Sequence, residues 1–203
     1  MLPVTRAAAD KLIFDCANIA YIASLFDRKA LDRPVERLGL SVRQVFGHLA
    51  LHLEWEADAL PRLQAGEPGE GGPVEWDALN AEFARKTKDT PLLELLETIS
   101  RGRDRLIAGL LKLDQAALDR KVAGETTLAD IVESWLTHIE EHALDLLDVE
   151  PALRRDPLVL DWILYADFLD RPDLNERLDR LFEEVREWAE SEPDDDEEDD
   201  DDT

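Results

Sequence analysis

The sequence predicts an all-α fold: a four-helix bundle with a short crossover helix and a C-terminal helical hairpin. Three observations carry that expectation. Apolar residues recur at spacings of three and four almost throughout, and no strand-length window alternates β-branched with polar residues. Serine, threonine or proline stands where each long periodic segment begins. With 44% hydrophobic residues among 203, the chain can bury a core of ordinary size.

The first helix is expected from about Thr5 to Leu31, with Leu12, Ile13, Ala17, Ile19, Ala20, Ala23 and Leu25 forming a broad apolar face before Arg33-Pro34 ends it. The second begins at Ser41, which is followed three residues later by Gln44 as in a capping box. Val45, Leu49, Leu53 and Leu60 mark its buried side out to about Leu63. The glycine- and proline-rich stretch AGEPGEGGP, residues 65–73, reads as a loop. Trp76, Leu79 and Phe83 give the crossover helix, 76–86, its spacing. Thr90-Pro91 opens a third long helix, with threonine as N-cap and proline in the first turn. Its seam is Leu92, Leu96, Ile99, Arg103, Leu106, Leu110 and Leu113, with the arginine at the edge. Gly124 to Thr127 leads into the fourth helix, where Thr127 and Asp130 make a cap-like pair and Ile131, Trp135, His138, His142 and Leu146 run down one side.

These elements set the domain boundaries: a bundle over 1–150, a helical extension over 151–191 and an acidic tail over 192–203. Asp156-Pro157 opens a helix with Trp162, Ile163, Tyr165 and Phe168. Pro172-Asp173 opens another with Leu174, Leu178, Leu181, Val185 and Trp188, completing a hairpin that packs on the bundle or on a partner subunit. The tail EPDDDEEDDDDT has nothing apolar to bury and is expected to be disordered and solubilising.

Composition excludes several function classes. The net charge is −25, from 23 basic and 48 acidic side chains, and residues 194–202 alone hold nine of those acids. Such a surface repels phosphate backbones, so no nucleic-acid partner is expected. No stretch approaches the ~18 uninterrupted apolar residues of a membrane span, and MLPVTRAAADKL lacks the apolar core of a signal peptide. The expected location is therefore the cytoplasm, with no membrane partner. A single cysteine, Cys16, excludes a Cys-rich zinc ribbon, so any metal must be held by nitrogen and oxygen.

All four histidines fall into two HxxxH pairs, His48 and His52 in GHLALHLEWE and His138 and His142 in WLTHIEEHALDL. On a helix this spacing places two imidazoles on one face, about a turn apart. Two neighbouring helices can bring three or four such rings to one point. Zinc, nickel or copper(II) accepts neutral imidazole nitrogens at roughly 2.0–2.1 Å. The plainer alternative is that each pair lies at a surface or at the edge of the core. Glu141, Asp145, Gln44 and Glu56 lie at helical reach of these histidines and are candidates to orient an imidazole, against the simpler reading of solvated polar groups. Trp55 and Trp135 line a pocket near the rings or, more simply, fill the core.

At this point the chain resembles the DinB-like superfamily, which includes the YfiT-like metal-dependent hydrolases and the thiol-dependent S-transferases. SVRQVFGHLALHLEW resembles the start of that family's second helix with its ligand histidine, and TLADIVESWLTHIEEHALDL its fourth helix with HxxxH. The resemblance covers roughly residues 5–150. It implies a divalent ion, zinc or nickel, held by His48, His138 and His142. His52 departs from the pattern. It is either a fourth ligand that closes a structural site or a neighbour that donates a hydrogen bond or moves a proton. The second is preferred, because an open triad leaves water on the ion and makes it reactive.

The resemblance further implies an enzyme that activates a small-molecule thiol such as bacillithiol or mycothiol, or water, against a small-molecule substrate. A cofactor thiol accounts for the lack of a catalytic cysteine, Cys16 being a buried spectator on the first helix. Anionic thiol cofactors need cationic contacts, for which Arg43, Arg101, Arg103 and Arg105 are candidates. The competing expectation is a non-catalytic bundle that binds or dimerises through its C-terminal hairpin and tail.

Overall fold

In the computed structural model, which describes residues 2–67 and 76–165, the architecture is all-α. The chain divides into two compact units, residues 1–153 and 154–203. The first contains α1 (Pro3–Leu25), α2 (Val42–Ala65), α3 (Trp76–Thr87), α4 (Leu92–Leu110), the short α5 (Gln115–Leu118) and α6 (Leu128–Val149). Two antiparallel two-stranded ribbons join them, β1 (Pro34–Val35) with β2 (Leu40–Ser41) and β3 (Lys121–Ala123) with β4 (Thr126–Thr127). In the second unit α7 (Pro157–Tyr165) is described, and Asp156 Oδ1 caps it by accepting from the backbone N–H groups of Leu158 and Val159. The second helix of the expected hairpin, the acidic tail and most of the loop at 65–73 lie outside the described residues.

The long helices start and stop for local reasons. Ser41 and Thr127 each accept from the backbone N–H three residues on, and the Gln44 and Asp130 side chains accept from the N-cap backbone in return, so both capping boxes form. Helix α2 ends at Gly66, whose φ of +77° is the left-handed C-cap conformation that glycine adopts without a Cβ penalty. Three expectations are corrected. The first helix stops at Leu25 and not near Leu31, because the Asp27 carboxylate accepts from the N–H groups of Lys29 and Ala30 at 2.7 Å and turns the chain out of the helix. The residue capping α4 is Pro91, in an extended conformation with no side-chain cap, and not Thr90. Leu95, not Leu96, is the fully buried leucine in its first turns. The ribbons carry two or three residues a strand, too short for any alternation to show.

Four helices form the bundle in a ring: α1 packs on α4 and α6, and α2 packs on the same two from the opposite corner. Helices α2 and α4 meet most closely where α4 lacks side chains. A Cβ at Gly102 would lie 2.9 Å from the Leu53 Cβ, and one at Gly109 would lie 2.7 Å from Leu60 Cδ2. The core includes Leu12, Ile19, Ile22, Phe46, Leu49, Leu53, Leu60, Leu106, Leu110 and Leu128, each no more than 2% exposed. Helix α3 lies against α2. No described helix is long and apolar enough to cross a membrane.

Candidate metal centre

Helices α2 and α6 are neighbours in the ring, so their histidine faces meet. His48 Nε2 lies 2.9 Å from His138 Nε2, and His142 Nε2 lies 2.8 Å from the same atom. Three imidazole nitrogens from two helices thus converge at one point. Their ligand atoms all lie within 4.8 Å of one another. His48 and His142 are buried, and His138 is the most exposed of the three.

The hydrogen-bond inventory shows what these rings are suited to bind. His142 Nδ1 lies 3.1 Å from Asp145 Oδ2, so that nitrogen carries the proton and Nε2 presents a lone pair. Burial drives His48 down to about 3, helped by the rings of His142 and His52, and burial likewise lowers His138 well below the ordinary histidine range. His48 and His138 are then neutral at pH 7, and one N–H at His138 Nε2 cannot serve both neighbouring nitrogens. A cluster of nitrogen lone pairs with too few protons is a donor set for a cation, and neutral imidazole nitrogen suits zinc and nickel alike.

Asp145 is itself held in place. Its side chain is fully buried and takes a two-point contact from Arg37, Nε to Oδ1 at 2.7 Å and Nη2 to Oδ2 at 2.6 Å, while Nη2 also reaches Glu141 at 3.0 Å. Arg37 sits between β1 and β2, and β1 packs on α6, so the ribbon delivers this guanidinium to the back of His142. The pair holds Arg37 in its charged form, pushing it far above the usual range. Sequence reasoning missed Arg37. A lone arginine in RPVERLGL carries no local signal, because its partner is 108 residues away.

Of the orienting candidates, Asp145 faces His142, and Glu56 Oε1 faces His52 Nδ1 at 2.7 Å. The other two serve elsewhere. Glu141 pairs with Arg37, and Gln44 completes the capping box of α2 and donates to the Ala84 carbonyl. His52 is buried one turn along α2, its ring centroid 4.2 Å from that of His138. The groups gathered with it are His138 and Glu56, while His48, His138 and His142 form the other cluster. Burial raises the Glu56 carboxyl above its ordinary range, against the opposing hydrogen bond from His52.

The walls are aromatic. Helix α3 brings Phe83 to 6.2 Å from the His48 ring and 6.5 Å from His52. It approaches α2 this closely because residue 47 is glycine: a Cβ there would lie 2.0 Å from Thr87 Oγ1. Trp55 and Trp135 meet edge to face at 6.4 Å, with Trp55 5.7 Å from His52. Trp55 therefore stands beside His52 with Trp135 packed against it, and Trp135 is also core, at 6% exposure. The arginines considered for cofactor contacts are engaged within the protein. Arg101 and Arg105 pair with Glu54, Arg103 with Asp104, and Arg43 with Asp32 and the Thr90 carbonyl. Cys16 is 3% exposed on α1, and burial pushes its thiol up to about 12.

A family profile described as the mycothiol maleylpyruvate isomerase N-terminal domain matches residues 16–149, two-thirds of the chain and nearly all of the bundle. The chain belongs to that family. The mycothiol maleylpyruvate isomerase N-terminal domain is a DinB-like four-helix bundle, so the superfamily resembled by the two histidine helices is the one that the whole bundle matches. The match begins at Cys16 and ends at Val149, so the extension beyond α6 falls outside the family domain. No curated protein and no solved structure matches the chain.

Proposed function

We propose that the protein binds one divalent metal ion through His48, His138 and His142 and uses it to activate a small-molecule thiol for transfer to an electrophilic substrate, with activation of water for hydrolysis as the variant reaction. The observation that carries the reading is the convergence of three Nε2 atoms at 2.8 and 2.9 Å with the third ring's Nδ1 on a buried carboxylate. Membership in a family named for a mycothiol maleylpyruvate isomerase supports a low-molecular-weight thiol of the mycothiol class as the co-reactant.

A divalent ion held by His48, His138 and His142 would act as a Lewis acid that lowers the pKa of a thiol or water, favouring the anionic nucleophile at neutral pH. The chain's own residues do the rest. Asp145, fixed by Arg37, keeps the His142 proton on Nδ1 and aims Nε2 inward. Phe83, Trp55 and Trp135 exclude water from the sides of the cluster and leave the approach at His138, where an apolar or planar substrate would enter. His52, held by Glu56 at 2.7 Å, stands beside the triad with its ring centroid 4.2 Å from that of His138, and is the imidazole placed to relay the proton that the nucleophile loses. Cys16, buried and far from its ionising range at neutral pH, is not the nucleophile.

The test is thiol transfer by the metal-loaded protein. With mycothiol or a simple thiol surrogate and a panel of electrophiles, including a cis-unsaturated dicarboxylate, turnover is expected that disappears on chelation and in His142→Ala. A metal-loaded wild type that consumes no thiol and hydrolyses none of the panel would overturn the catalytic reading.

A further inference from the structure

A second set of ligand atoms lies beside the triad. His52, Glu56 and His138 offer nitrogen, oxygen and nitrogen atoms that all lie within 4.8 Å of one another. Glu56 is 1% exposed. One of its oxygens faces His52 Nδ1 at 2.7 Å, while the other, Oε2, is buried with no hydrogen-bond partner among the described residues. A carboxylate oxygen in that position forgoes the hydrogen bonds that water gave it, a cost that stands unless something replaces them. Among the described residues no lysine or arginine pairs with Glu56, whose hydrogen-bond partner is His52. The triad does not use it either, since its orienting carboxylate is Asp145, which has its own arginine.

We propose that His52, Glu56 and His138 form a second divalent-cation site, one turn along α2 from the first and overlapping it at His138. Mixed nitrogen and carboxylate donors at this spacing suit zinc, cobalt(II), manganese or iron(II). A cation placed there meets the buried carboxylate oxygen that nothing else answers, and the protein's charge of −25 favours cation entry in general. The site goes beyond the triad and does not require it, because Glu56 and His52 are ligands of the second set alone. With a carboxylate in place of the triad's third imidazole, it fills at added metal and not at the trace levels that a triad retains through purification.

Cobalt(II) is the probe, since its visible d–d bands report nitrogen and oxygen ligation directly. His142→Ala removes one nitrogen from the triad and leaves the second set whole. Titrated with cobalt(II), folded His142→Ala is expected to bind about one equivalent and develop visible bands. His142→Ala/Glu56→Gln is expected to bind at least tenfold more weakly, and His138→Ala not at all. The single variant Glu56→Gln keeps the buried volume and should retain whatever metal the wild type carries after purification. The proposal is overturned if His142→Ala, folded by circular dichroism, takes up no cobalt, or if adding Glu56→Gln to it leaves the binding curve unchanged. Loss of the purified metal from Glu56→Gln alone would also overturn it, because Glu56 would then be serving the triad. Wild type that purifies without metal leaves the triad to be decided by uptake of added zinc or nickel, and the cobalt titration of His142→Ala decides the second site by itself.

Discussion

Replacing Arg37 by alanine separates the positioning of His142 from the packing of the bundle. The Asp145 side chain is 0% exposed and receives two hydrogen bonds from Arg37, while the arginine is 46% exposed. Breaking a fully buried pair from one side costs about 3–5 kcal/mol, and an exposed pair is worth about 0–1 kcal/mol. With water reaching Arg37 but not Asp145, the cost should lie between, near ~2 kcal/mol, or about 4–8 °C of melting temperature for a chain of this size. The second effect is on metal. Asp145 freed from its clamp no longer fixes the orientation of the His142 ring, and lost support of this kind typically weakens metal affinity about 10–100-fold. Thermal melts of metal-free protein measure the first, and a chelator competition titration of folded protein at 20 °C measures the second. If the melting temperature falls but the metal affinity stays within twofold of wild type, Arg37 only ties the β1–β2 ribbon to α6, and the positioning argument fails.

Gly47→Ala should destabilise the bundle by about 1–3 kcal/mol or more, because its Cβ would lie 2.0 Å from Thr87 Oγ1, and Thr87→Gly should recover part of the loss; urea melts of the single and double variants check both. Metal-free protein should lose stability as pH falls from about 6.5. His48 titrates near 3 when folded and near 6.5 when unfolded, so the unfolded chain binds more protons in that window, and stability that is complete above 6.5 is lost on acidification. A melting temperature flat between pH 7 and 5, or a slope no shallower in His48→Gln, would contradict this. Cys16 should resist a thiol reagent at pH 8 in the native protein and react fully in denaturant, while rapid native modification would show α1 to open more readily than its packing implies.

Much of the bundle was legible because its signals are local. Ser41 with Gln44 and Thr127 with Asp130 announce their helices within four residues, and the capping boxes form as the spacing predicts. The two HxxxH pairs are likewise local, and helix periodicity alone puts each on one face. The early end of α1 was not legible, since Asp27 competes with the helix through its own side chain while the apolar pattern continues past it. The support of the site was hidden for a different reason. Arg37 reaches Asp145 only after the ribbon folds onto α6, and Gly47 matters only because Thr87 arrives from another helix. Such contacts join residues tens to a hundred positions apart, and no spacing rule spans that distance. The separation of His52 from the triad also depends on tertiary geometry: HxxxH alone places His48 and His52 alike, and the packing of α6 gathers His142 with His48 while Glu56 stays with His52.

The central claim is a metal ion at three imidazoles, and metal content tests it most directly. Untagged protein, dialysed against metal-free buffer, is analysed by elemental mass spectrometry as wild type and as His48→Ala, His138→Ala, His142→Ala and His52→Ala. Near-stoichiometric zinc or nickel in the wild type and in His52→Ala, with loss from each of the other three, is the predicted pattern. Wild type without metal that also takes up none when zinc or nickel is added, or a triad variant that keeps its full complement through dialysis, would contradict it.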